Sequence, residues 1–155
     1  LTEVVPIESA TEEVVLALAD LQRLCNPSPW TPQLWAASLG ESNTRVLVVQ
    51  GGSADRELLA YLVVRTAADE AEILDTGVRP SARRAGLGGR LLSSAIVDLR
   101  AGETLELFLE VRVSNAPAQA MYERFGFEKC GVRRGYYDRP VEDAAVMRLD
   151  LRPTS

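Results

Sequence analysis

The stretch Arg83-Arg84-Ala85-Gly86-Leu87-Gly88-Gly89 stands between an apolar strand-like run at residues 73–78 and an apolar helix-like run at 91–99. Three glycines in that position let main-chain N–H groups turn inward, and the start of the following helix adds partial positive charge. Arg83, Arg84 and Arg90 thicken the positive field. The construction suits a phosphate or pyrophosphate, so a phosphorylated ligand is the first expectation. Two other glycine-rich phosphate loops are excluded. A dinucleotide fingerprint needs glycine three residues after Gly88, where Leu91 stands, and a P-loop needs a lysine that this loop lacks. Taken alone, the loop also fits a helix-entry turn whose glycines serve only packing.

Upstream, residues 2–7 alternate enough for a strand. Ser9 followed by Glu12 is a capping box for a helix carrying Val14, Leu16, Leu18, Leu21 and Leu24. Asn26-Pro27-Ser28-Pro29 stops that helix, and Thr31-Pro32 opens a second one reaching Leu39. Residues 45–49 and 58–65 are β-branched runs joined by Gly51-Gly52-Ser53-Ala54-Asp55, which reads as an antiparallel hairpin. A turn near Ala67-Ala68-Asp69 leads to a third strand at 70–78. Downstream, the helix behind the glycines runs to about Arg100 with Gly102 behind it. A strand follows at 105–111, then a helix capped by Ser114 or Asn115 and ending at Phe125-Gly126. Two last strands, 128–134 and 143–151, flank a polar loop.

The order is β-α-α-β-β-β-α-β-α-β-β. A helix joins the strand before the glycines to the strand at 105–111, so those two are expected to be parallel neighbours. The expected architecture is α+β: one mixed, mostly antiparallel sheet of about seven strands with helices on both faces. With no repeat, charge block or low-complexity linker, residues 1–155 are read as one domain.

Composition narrows the chemistry. There is no histidine among the 155 residues, which removes Ser-His-Asp and Cys-His catalysis and every histidine metal site, so no metal is expected. A general base here must be a carboxylate, tyrosine, lysine or thiolate. A net charge of −5 argues against nucleic-acid binding and suits a cationic partner. No apolar run approaches the roughly 20 residues of a membrane span. The N-terminal stretch carries Glu3, Glu8, Glu12 and Glu13 instead of a basic-then-apolar leader. Cys25 and Cys130 make no disulfide framework, so a cytoplasmic home is expected, with both thiols filling space.

Glu110 lies near the end of the strand at 105–111, and the glycine loop lies beyond the end of the strand at 70–78. Both are expected at the same sheet edge, where open α/β sheets place ligands. A carboxylate ending an apolar strand can accept a proton near neutrality; a solvated glutamate paired with Arg112 or Arg134 is the other reading. Tyr122, four residues after Ala118, can donate a proton to a departing anion or simply fill the core. Ala116, Ala118 and Ala120 would let its helix approach a neighbour closely. Asn115 can bind a ligand amide or cap the helix. Tyr136-Tyr137 with Arg133 and Arg134 form either a substrate-facing flap or an aromatic pair on a wet edge strand.

The loop Arg83-x-x-Gly86-x-Gly88 resembles the acetyl-coenzyme A signature of the GNAT acetyltransferases, and Asn115-x-x-Ala118-x-x-x-Tyr122-x-x-x-Gly126-Phe127 resembles that family's second hallmark. The element order is similar to the family fold, and the match covers nearly the whole chain. Pro29-Trp30-Thr31, Leu109-Glu110-Val111-Arg112-x-Ser114-Asn115, Arg133-Arg134-x-Tyr136-Tyr137 and Glu142-Asp143-Ala144 most resemble the members that act on ribosomal-protein N-terminal alanines. The resemblance implies an enzyme that uses acetyl-CoA as co-substrate and the N-terminal segment of a ribosomal protein as acceptor. It implies Glu110 as proton acceptor and Tyr122 as proton donor. It places cofactor contacts at Thr76, Gly77, Val78, Arg84, Ala85, Gly86, Leu87, Gly88, Gly89 and Asn115. Asp75-Thr76-Gly77-Val78 departs from the more usual Asn-Ile-Ala-Val, and Asp138 stands where proline often follows the two tyrosines. A small-amine acetyltransferase and a non-catalytic acyl-CoA sensor are the alternatives; Glu110 and Tyr122 together speak against the sensor.

Overall fold

The computed structural model describes residues 3–52 and 56–154. Its elements are β1 (Glu3–Pro6), α1 (Glu12–Cys25), α2 (Pro32–Leu39), β2 (Thr44–Gln50), β3 (Leu58–Ala67), β4 (Glu70–Val78), α3 (Leu87–Ala101), β5 (Glu106–Arg112), α4 (Ala116–Arg124), β6 (Glu128–Asp138) and β7 (Val141–Asp150), with a 3-10 turn at Pro80–Ala82. The order is the expected one, and the seven strands form one sheet in the sequence β1-β2-β3-β4-β5-β7-β6. Thr2 and the Ser53-Ala54-Asp55 part of the expected hairpin turn lie outside the described residues. No helix of the described residues is long and apolar enough to cross a membrane.

Several expectations change at element ends. The cap of α1 is Thr11, not Ser9: its Oγ1 accepts from Val14 N at 3.3 Å, and its extended backbone (φ −66°, ψ 154°) turns the hydroxyl onto the first turn. Thr31 caps α2 as expected, accepting from Leu34 N at 3.1 Å, with Pro32 in the first turn. The polar loop expected between the last two strands is strand instead, because β6 runs on to Asp138 and β7 begins at Val141.

The chain packs as two compact units, residues up to Arg65 with Leu74–Val97, and Thr66–Ile73 with the residues from Asp98 onward. The first unit is built on β2 and β3, whose Val46, Val48, Tyr61 and Val63 pack with Val15, Leu18 and Leu21 of α1 and Trp35 of α2. Continuous apolar runs in β2 and β3 suit strands covered on both faces. In the second unit, β4 and β5 pair in parallel, with Glu70, Ala71 and Glu72 opposite Glu106, Leu107 and Phe108. β7 pairs antiparallel with both β5 and β6. Along β5, burial alternates strictly: Leu107, Leu109 and Val111 face the core, while Phe108, Glu110 and Arg112 occupy the other face.

Candidate active site

In the first unit, the loop behind β4 is built from main chain in unusual conformations. Arg84 (φ 69°) and Gly86 (φ 75°) both adopt left-handed backbone. α3 already begins at Leu87, so Gly88 and Gly89 lie in its first turn; the three-glycine turn read from sequence reduces to Gly86 alone. Gly86 caps the helix, its carbonyl accepting from Arg90 N at 3.1 Å. The N–H groups of Leu87, Gly88 and Gly89 therefore have no carbonyl one turn back within the helix. Leu87 is buried and anchors the turn, whereas Arg84 and Ala85 are exposed. A Cβ placed on Gly86 meets nothing within 4 Å, so the approach to this main chain is open. A helix start whose first-turn N–H groups have no carbonyl within the helix, preceded by exposed main chain at residues 84–86, fits a pyrophosphate. Arg83 is tied back, donating from Nε to the Val78 carbonyl at 3.2 Å.

Thr76, Gly77 and Val78 are held from below by α1 and β3. Thr76 Oγ1 donates to the Tyr61 carbonyl at 2.9 Å, and Cys25 Sγ donates to the Val78 carbonyl at 3.4 Å. Burial pushes the Cys25 thiol up, which keeps it protonated as that donor. Arg79 N donates to Leu59 O at 2.7 Å, and strand alternation then turns the Val78 N–H away from β3. Only glycine fits at 77: a Cβ there would lie 2.7 Å from Cys25 Cβ and 2.8 Å from Tyr61 Cε1.

Beside it lies a feature that sequence reading missed. Asp75 Oδ2 accepts from Gln22 Nε2 at 2.6 Å, Tyr61 Oη at 2.7 Å and Asn26 Nδ2 at 3.3 Å. Gln22 Oε1 in turn accepts from Trp30 N at 2.7 Å and Trp35 Nε1 at 3.0 Å. Burial, reinforced by the Asp75 charge, pushes the Tyr61 phenol far up, so it is a fixed donor. The available signal was Gln22 itself, a polar residue at core spacing with Leu18 and Leu21.

In the second unit, Glu110 has a side chain only 8% exposed, on the face of β5 opposite the apolar core residues. Its partner is neither Arg112 nor Arg134 but Arg133 of β6, whose Nε lies 3.2 Å from Oε1 and whose own side chain is 60% exposed. Burial pushes the Glu110 carboxyl above its ordinary range, the nearby Glu72 carboxylate pushes it further, and Arg133 pulls it back. Glu72 shares its face of the sheet, since it pairs with Phe108, two residues before Glu110.

Asn115 caps α4, its Oδ1 accepting from Ala118 N at 3.2 Å. Ala116 and Ala120 are exposed and Ala118 is half-buried. The spacing Tyr122-x-x-x-Gly126-Phe127 has a local cause. Phe127 N donates to Tyr122 O at 3.1 Å and Gly126 N to Glu123 O at 2.9 Å, with Gly126 at φ 101°. This is a Schellman ending, and its customary apolar contact is Tyr122 on Phe127, ring centroids 5.5 Å apart. Tyr122 is thereby buried and fixed.

The β6–β7 end is braced by Arg112. Its guanidinium donates to Pro140 O at 2.9 Å and Arg139 O at 3.0 Å, pairs with Glu142 at 3.3 Å, and lies 4.3 Å from the Tyr137 ring centroid. Hydrogen bonds from Ser114 hold the Glu142 carboxyl below its ordinary range. Tyr136 and Tyr137 are strand residues, set edge-on to each other at 5.0 Å, with Tyr136 exposed. Cys130 is exposed on β6 and fills no core space.

The chain belongs to the acetyltransferase (GNAT) family, whose model matches residues 15–127. It is accordingly an N-acetyltransferase of the acetyl-CoA-dependent kind. It is 33% identical to the [ribosomal protein bS18]-alanine N-acetyltransferase of Escherichia coli K12 over 133 residues, 84% of this chain and 87% of that one. The protein of the same name from Haemophilus ducreyi is 29% identical over 148 residues, 94% of this chain and 99% of that one. The crystal structure of the Escherichia coli ribosomal-protein-S18-alanine N-acetyltransferase superposes with a TM-score of 0.88 at 27% identity, covering 100% of this chain and 97% of that one.

Proposed function

We propose that the protein acetylates the N-terminal alanine of a ribosomal protein, the amine attacking directly within one ternary complex. The observation that carries this reading is Glu110, a carboxyl withdrawn from solvent and raised above its ordinary range on an otherwise apolar strand. The names of the relatives support the substrate class, and a ribosomal acceptor implies a cytoplasmic enzyme.

An amine attacks only when neutral. An α-amine of pKa near 7.8 is roughly 10–15% neutral at pH 7, against well under 0.1% for lysine, so an N-terminal substrate needs only a modest base. Glu110 takes the proton from the amine nitrogen, directly or through water. Tyr122 Oη gives a proton to the departing sulfur. Acetyl-CoA supplies the activated thioester. The N–H groups of Leu87, Gly88 and Gly89, with Arg84, Ala85 and Gly86, hold its pyrophosphate. The main chain of Thr76, Gly77 and Val78 and the Asn115 side chain hold its pantetheine arm. Positioning of both substrates supplies much of the acceleration.

Incubation with acetyl-CoA and either Ala-initiated peptides or small amines, read by mass spectrometry, tests the proposal. Peptides are expected to be labelled at the α-amine. Glu110→Gln should lower the rate by about 10²- to 10⁴-fold, and Tyr122→Phe should also lower it. Preference for small amines overturns the substrate, and undiminished turnover in Glu110→Gln overturns the base.

A further inference from the structure

Resting on the reading of Glu110 as base, we propose that Glu72 and Arg133 are positioning residues that set its protonation by acting in opposite senses. Neither needs to touch substrate. Arg133 reaches from β6 to 3.2 Å from Glu110 Oε1. Glu72 comes from β4, on the same face of the sheet, two positions along the parallel ladder. From that shared face its carboxylate charge raises the proton affinity of Glu110, where the Arg133 guanidinium lowers it.

The rest of the surroundings leave these two in control. Across β5 from Glu110 stands Val146 of β7, which carries no charge. Arg112, on the same face of β5, is engaged by Glu142 and the Arg139 and Pro140 carbonyls. Arg148 of β7 is paired with Glu106. Removing the guanidinium takes away the cation that offsets Glu72 among the described neighbours, so the Glu110 proton is held to higher pH. Removing the Glu72 charge leaves the Arg133 cation unopposed among the described neighbours, so the Glu110 proton leaves at lower pH. The two variants are therefore expected to err in opposite directions, which a merely structural role for either residue would not produce.

The experiment is a titration of carbon-13-labelled glutamate carboxyl groups by NMR, with the Glu110 signal assigned from Glu110→Gln. Arg133→Gln should raise the Glu110 midpoint by about one pH unit, the low end for an opposite charge because Arg133 is solvated. Glu72→Gln should lower it by a similar amount. Arg133→Lys, which keeps the charge, should return most of the original midpoint. The acid limb of the pH profile of kcat, measured with an Ala-initiated peptide and saturating acetyl-CoA, should follow both shifts. A midpoint unmoved in either variant, or moved the same way in both, overturns the inference. Opposite shifts in the carboxyl signal with an unmoved acid limb keep the electrostatic assignment and overturn Glu110 as the base.

Discussion

Asp75 and Glu110 are both carboxylates on strands with apolar neighbours, and the two units treat them in contrary ways. Asp75 receives three neutral donors on one oxygen, two of them from the fully buried Gln22 and Tyr61. Glu110 receives one solvated guanidinium and faces a second carboxyl. A carboxylate with buried donors locked onto it holds the fold together and has little to trade. One that lacks them sits above its ordinary proton affinity and can take part in chemistry, at some cost to stability.

The same change of carboxylate to amide therefore has contrary consequences at the two sites. The largest effect is expected from Asp75→Ala, which strands the Gln22 amide and the Tyr61 hydroxyl without an acceptor; unfolding in urea should show a loss of about 3 kcal/mol or more. Asp75→Asn keeps an acceptor but loses the charge-assisted bonds, for about 1–2 kcal/mol. Tyr61→Phe removes a single donor and should cost about 1 kcal/mol. A free-energy change near zero in Asp75→Ala would make the network decorative and break the contrast. The smallest effect runs the other way. Because the folded-state affinity of Glu110 for its proton is raised, its charge costs stability above the folded pKa and costs nothing below the ordinary carboxylate range. Glu110→Gln should show a small rise in Tm at pH 8 that fades as the pH is lowered. A drop in Tm at pH 8 would place Glu110 with Asp75 as a structural group.

Local signals carried most of the element order. Asn26-Pro27, Thr31-Pro32 and Gly102 punctuate helices by rules that act within a few residues. Ser9 and Thr11 are both followed by glutamates, and only the backbone angles at Thr11 decide which hydroxyl caps α1. Gly135, Arg139 and Pro140 look like a loop, yet Gly135 (φ 60°) sits within an irregularity between Arg133 and Tyr137 that β6 survives. Glu110 was legible as a carboxylate near the end of an apolar strand, and Tyr122 stood out within the Asn115-to-Phe127 spacing, part of which is the Schellman ending. The partners were not. Asp75 lies 53 residues from Gln22 and 49 from Asn26, and Arg133 reaches Glu110 across β7, so no sequence window contains either pairing. Glu72 was hidden because its alternation with Ala71 and Ile73 is also that of an ordinary half-exposed strand.

β6 is an edge strand of the sheet, 11 residues long and exposed along almost all of it, with Val132 and Tyr136 about half exposed. A straight strand of that kind offers a second chain a ready row of main-chain partners. Here the register breaks twice, between Lys129 and Gly131 and between Arg133 and Tyr137. A foreign strand laid along it would fall out of step within a few residues and meet Lys129, Arg133 and Arg134. The kinks thus work against the addition of a further strand along this long exposed border.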